Sequence, residues 1–158
     1  MRQSVEREGP RMSDEIVYSK TFPVLWSDLD ANAHMRGPRY LDYAAEMPFF
    51  FLFDNGFDLS LFAREQVGPV TFTQQVRHLK EARFGDILTI DHRLRGLAPD
   101  ASRWAFRHRI TRSDGQEVAI VESDGAFFSR VNRRIAPPPA GLVDLIRRLP
   151  RDEDYREL

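Results

Sequence analysis

The stretch Leu25-Trp26-Ser27-Asp28-Leu29-Asp30-Ala31-Asn32-Ala33-His34-Met35-Arg36-Gly37-Pro38 leads into Arg39-Tyr40-Leu41-Asp42-Tyr43-Ala44-Ala45-Glu46-Met47-Pro48-Phe49-Phe50-Phe51-Leu52-Phe53-Asp54, and together they decide the fold. The first part is a polar loop dense in turn formers; the second is apolar on nearly every side. Pro38 suits the first turn of a helix, where its missing N–H is no loss, and Gly56 suits the stop after the last turn. The sequence therefore predicts a helix from Pro38 to about Asp54, and so apolar a helix has to be covered on most faces. Pro48 removes one backbone donor inside it and crowds the preceding turn. A kink, or two consecutive helices, is expected there.

Upstream, Ile16 to Trp26 reads as a strand, with Val17 and Val24 among aromatic and β-branched neighbours. Downstream, Asp58 to Glu65 reads as a short helical turn, and after Gly68-Pro69 the period changes to two. Val70, Phe72, Gln74 and Val76 alternate with Thr71, Thr73, Gln75 and Arg77 in a strand. Phe84-Gly85-Asp86 is a turn, and Leu88, Ile90, His92 and Leu94 form one face of the next strand. After Ala98-Pro99-Asp100, Trp104, Phe106, His108 and Ile110 share a face opposite Arg103, Arg107 and Arg109. Ser113-Asp114-Gly115 marks a hairpin. A long strand follows from Glu117 to Val131, then a proline break at 137–139 and a terminal amphipathic helix carrying Leu142, Leu145, Ile146 and Leu149. One buried helix across a five-stranded antiparallel sheet is an α+β architecture. Long strands with an open edge invite a second copy of the chain, so at least a dimer is expected.

The chain of 158 residues suits one domain and needs no covalent staples. Residues 1–14 are polar and aperiodic and read as a disordered lead, 15–150 as the domain, and 151–158 as a solvated tail. The absence of cysteine excludes disulfides, thiolate nucleophiles and cysteine-held metals. No Gly-x-Ser-x-Gly elbow, dinucleotide or phosphate-loop glycine pattern, or His-x-x-Glu-His zinc motif occurs, so no cofactor and no metal is expected. The apolar run 47–53 is too short to span a bilayer and the N-terminus lacks an apolar signal core, so the expected location is cytoplasmic, without membrane attachment. Of 23 basic residues only Lys20 and Lys80 are lysines. The arginines fit a phosphate-bearing ligand or simply face solvent beside the 24 acids; no basic stripe for nucleic acid is present.

This order of elements resembles the hotdog-fold thioesterases, and more narrowly the 4-hydroxybenzoyl-CoA thioesterase family. The resemblance rests on Asp28 and Asp30, the step Ala33-His34, Tyr40-Leu41-Asp42-Tyr43, the strand start Val67-Gly68-Pro69-Val70, the turn Phe84-Gly85-Asp86 and the Ser113 hairpin. It covers about Tyr18 to Leu149. The sequence departs from the family pattern at Ala33, where glycine is usual, at Arg36, where many relatives have asparagine, and at Pro48. The resemblance implies a five-stranded antiparallel sheet wrapped around a long central helix. It also implies hydrolysis of an acyl- or aroyl-CoA thioester to the free acid and CoA. The alternative is a domain that binds an acyl thioester without cleaving it.

Thioester hydrolysis needs a nucleophile or a base for water, and a donor for the developing oxyanion. By resemblance Asp30 is the carboxylate and the Gly37 backbone N–H the donor, since Pro38 cannot donate. Asn32 and His34 either contact the thioester and attacking water or stabilise the loop. Asp28 reads as an orienting residue. Tyr40, Gly68, Pro69 and Val70 are implied at the substrate, with Gly68-Pro69 equally readable as a strand-initiating turn. Phe49 to Phe53 read as core or acyl-tunnel wall, and His78, His92 and His108 as core or interface residues. The expected partner is the acyl-CoA itself, within a homodimer or homotetramer.

Overall fold

The computed structural model describes residues 17–158. The expected lead, 1–14, and the first residue of the expected N-terminal strand, Ile16, lie outside them. Strand β1 (Ser19–Pro23) leads through a short 3₁₀ turn into helix α1 (Gly37–Asp54). After α2 (Leu61–Arg64) come β2 (Val67–His78), β3 (Ile87–Asp91), β4 (Arg93–Leu97), β5 (Arg103–Arg112) and β6 (Glu117–Ser129). The chain ends with β7 (Arg134–Ile135), α3 (Leu142–Arg147) and β8 (Arg151–Glu157).

The main sheet runs β1, then β3 with β4, then β5, β6 and β2, all antiparallel. The count is therefore eight strands instead of five: the two-residue strand β7 pairs with the end of β6 and adds one, and two further physical reasons account for the others. First, the expected strand carrying Leu88 to Leu94 pauses at His92. Its register against β5 is unchanged across the pause, with Ile90 opposite Ile110 and Arg93 opposite Arg107. The ladder opens because the Asp91 carboxylate accepts the Arg109 N–H at 2.6 Å. Leu88, Ile90, His92 and Leu94 all remain buried on one face.

Second, the expected solvated tail 151–158 is strand β8, lying parallel to β4 at the sheet edge. The domain thus extends through it. Its acidic side chains read as solvated in sequence, but they meet arginines of β5. Arg107 holds Glu122, Asp152 and Asp154, and Arg109 pairs with Glu153 at 2.8 Å. Asp152 is buried by this arrangement. Arg107 is therefore already paired within the chain.

Helix α1 is one continuous helix through Pro48, so the two-helix alternative is not what forms. It starts at Gly37, one residue before the expected Pro38. The sheet curls around it and divides the core in two. The N-terminal half of α1, with Tyr40, Tyr43, Ala44 and Met47, packs on β1, β3 and β6. The C-terminal half, with Phe51 and Leu52, packs on β4, β5 and α3. This is the α+β hotdog architecture that the resemblance implies. Among the described residues no helix is long and apolar enough to cross a membrane.

Candidate active site

The loop between β1 and α1 is built on two aspartates with different work. Asp28 is fully buried. Its carboxylate accepts the Leu25 N–H at 2.9 Å, Arg39 Nε at 2.7 Å and the Tyr43 hydroxyl at 2.7 Å. Burial alone pushes this carboxyl up; the hydrogen bonds from Tyr43, Leu25 and Arg39 outweigh it and hold the group below the ordinary carboxylate range. Its backbone carbonyl also accepts the Arg36 N–H at 2.8 Å. Asp28 thus pins the loop to the first two turns of α1, the orienting role read from the sequence.

Asp30 sits at the exposed tip. One oxygen, Oδ1, accepts the N–H groups of Asn32 at 2.8 Å and His34 at 3.2 Å. The other, Oδ2, has no partner among the described residues. The turn-capping reading of Asp30 and the reactive one therefore use different oxygens of the same carboxylate. The turn itself places Ala33 at φ 59°, the left-handed region where the family's glycine would be at ease. Backbone bonds between Asp30 and His34, and from the Met35 N–H to the Ala82 carbonyl, close the loop.

Gly37 opens α1, and its N-cap, Arg36, makes no side-chain cap bond. The Gly37 N–H is an unpartnered donor at a helix N-terminus among the described residues. Beside it stands His78 at the end of β2: a Cβ built on Gly37 would lie 3.7 Å from the His78 Nε2. The His78 ring meets Tyr40 edge-on at 5.0 Å. Tyr40 is buried in the core beneath this corner, and burial pushes its phenol up. Sequence reasoning grouped His78 with the core or interface histidines; a lone histidine ending a strand gives no sign that it will meet a helix start.

Further along α1 lies a cavity of about 150 Å³, walled also by residues of β2, β5, β6 and α3. Pro48, Phe49, Phe51 and Leu52 of α1 form one wall; of the phenylalanine run only Phe51 is also buried core, whereas Phe49 lines the cavity while part exposed and Phe53 is 70% exposed, turned away from both. Of the three expected residues at the β2 start, Pro69 lines the cavity; Gly68 and Val70 do not. His92 and Trp104 also line it, and neither was singled out in sequence as a site residue. Both stand in phase with apolar neighbours, which is the pattern of core. His92 and His108 stack at 4.9 Å. Burial holds His92 far below its ordinary value, and pushes His108 down to about 4. Both imidazoles are neutral at pH 7.

Three carboxylates, those of Asp152, Glu153 and Asp154, lie close together. Arg107 and Arg109 already pair with them, which opposes a cation there. Arg107 and Arg109 are correspondingly committed within the chain and are poor candidates for coenzyme A phosphates.

The profile of the thioesterase-like superfamily matches residues 24–146. An L-carnitine dehydrogenase/betainyl-CoA thioesterase of Agrobacterium fabrum is 33% identical over 113 residues, covering 71% of this chain and 23% of that protein. The chain thus matches about a quarter of this relative's length. Among solved structures, a 1,4-dihydroxy-2-naphthoyl-CoA thioesterase from Synechocystis superposes with a TM-score of 0.75 at 16% identity, over 89% of this chain and 99% of its own. A Staphylococcus aureus protein characterised in complex with CoA gives 0.74 at 18% identity, over 86% and 87%. These likenesses carry the fold, while the profile covers most of the chain, and the chain belongs to the thioesterase-like superfamily.

Proposed function

We propose that this protein hydrolyses an acyl-CoA thioester, with Asp30 and the Gly37 N–H as its working pair. The observation that carries the reading is the division of labour in the loop: Asp28 and Asp30 Oδ1 hold the backbone, leaving Asp30 Oδ2 unengaged and a helix N-terminal N–H without an acceptor. The unengaged oxygen either attacks the thioester carbonyl, expelling the CoA thiolate and leaving an acyl anhydride that water then cleaves, or takes a proton from an attacking water whose addition expels the CoA thiolate. The Gly37 N–H receives the carbonyl oxygen as charge develops on it, in the field of the α1 N-terminus. Superfamily membership and the thioesterase named by the Agrobacterium relative support the reaction class.

A second copy of the chain belongs in this proposal. Among the described residues strand β2 pairs only with β6 and so forms one edge of the main sheet, and most of its residues are exposed, including Val70 and Phe72. A twelve-residue strand left open on its edge is the natural place for sheet extension. Sedimentation at micromolar concentration should show a homodimer or homotetramer, and a stable monomer would refute the shared-edge assembly.

The test of the reaction is release of free thiol from short, long and aromatic acyl-CoAs, run beside Asp30→Asn. Asparagine can still accept the Asn32 and His34 N–H groups, so the loop keeps its shape while the carboxylate is lost. Turnover should fall by about a thousandfold or more with unfolding unchanged. Undiminished turnover would remove Asp30 from the mechanism, and saturable binding without turnover by the unsubstituted protein would make this a binding domain.

A further inference from the structure

The cavity behind α1 is mostly apolar, with Thr71, Gln74 and Ser123 as polar parts of its lining, yet it is not finished as such a cavity should be. Both ring nitrogens of His92 and the Nε1–H of Trp104 are buried without a hydrogen-bond partner. His92 is 0% exposed and Trp104 5%, and both line the cavity. Phe106 lies between their rings, 4.6 Å from His92 and 4.8 Å from Trp104. Leaving such groups unpaired is costly, so their persistence in a core position points to a partner supplied from outside the chain.

The chemistry of that partner follows from what the two rings offer. The indole nitrogen only donates, whereas a neutral imidazole donates from one nitrogen and accepts at the other. A hydroxyl both donates and accepts, so it can serve either ring. A carboxylate would enter a cavity with no cation in its wall, and a plain hydrocarbon would leave every nitrogen unpaired. The position sets the length: Ala44, the first α1 residue of the wall, is seven residues past Gly37, about 10 Å along the helix. A two-carbon acyl group held at Gly37 ends well short of it.

We propose that the cavity receives the distal part of an extended acyl chain and that His92 and Trp104 select a chain carrying a hydroxyl group. The selection rests on the thioesterase reading; the binding of the hydroxylated chain does not. Sites built to hydrogen-bond a hydroxyl discriminate strongly against the analogue that lacks it.

The experiment compares decanoyl-CoA with hydroxydecanoyl-CoAs bearing the hydroxyl at the middle or end of the chain. The unsubstituted protein should prefer one hydroxylated isomer by about tenfold or more in kcat/KM. Trp104→Phe and His92→Phe keep a ring in place and remove the polar atoms, and one or both should bring that ratio to within about twofold. Because the ratio is internal to each variant, loss of folded protein does not move it. In parallel, calorimetry with free decanoic and hydroxydecanoic acids tests the cavity without chemistry. Preferential binding of a hydroxy acid, abolished in Trp104→Phe or His92→Phe, upholds the inference even if no thioester is cleaved. Equal rates and equal binding for plain and hydroxylated chains overturn it, as does a preference that survives both substitutions.

Discussion

Acidification to pH 5 should destabilise this protein through the stacked pair His92 and His108. Burial holds His108 at about 4, while an exposed histidine in the unfolded chain titrates near about 6.5. Between these values the unfolded chain binds a proton that the native state refuses, so stability rises with pH across the window. The contribution is fully present above the unfolded value, is lost as pH falls below it, and stops changing once the folded value is passed. At pH 5 the unfolded chain gains about 2 kcal/mol from protonating this position and the native state almost nothing. His92 is also held down, by burial and by the neighbouring His108, and adds a loss in the same direction. His108 alone therefore removes about 2 kcal/mol between pH 7.5 and pH 5, and His92 adds to it in the same direction. The lowered carboxyl of Asp28 acts in a separate window, losing its contribution only below the unfolded carboxylate range. Urea unfolding at fixed protein concentration and ionic strength measures the effect. His92→Phe, which breaks no hydrogen bond, and His108→Gln should each flatten the pH dependence. A loss below about 1 kcal/mol, or an unchanged dependence in both variants, would refute the reasoning.

Three further outcomes are expected. Tyr43→Phe takes one hydrogen bond from the buried Asp28 carboxylate and should cost about 2 kcal/mol in urea unfolding. Gly125→Ala should cost about 3 kcal/mol or more, because its Cβ would lie 2.1 Å from the Val70 carbonyl oxygen, and backbone in the β2–β6 pair cannot move aside cheaply. Gly37→Pro removes the proposed oxyanion donor at a first-turn position that tolerates proline, after a residue already extended at ψ 147°. It should lower kcat roughly a hundredfold with folding retained, whereas Gly37→Ala, which keeps the N–H, should stay near the unsubstituted rate.

The local pattern along the chain determined where the polar loop ends and the buried helix begins, and it determined the faces of the strands. Pro38, Gly56 and the period-two runs report on nearest neighbours, and those reports survive folding. Asp28 and Asp30 stood out through the family resemblance, since turn formers before an apolar helix fit a turn-capping aspartate equally well. Tertiary structure alone decided what depends on distant partners. Arg151–Glu157 becomes a strand only because β4 offers an edge and Arg107 and Arg109 neutralise its acids. Asp91 opens the ladder only because the Arg109 N–H stands opposite it. His78 meets the start of α1, and His92 and Trp104 come to one cavity wall, through sheet curvature that no local period encodes. Period two tells which side of a strand is covered; which rings lie there without a partner is set by everything packed against it.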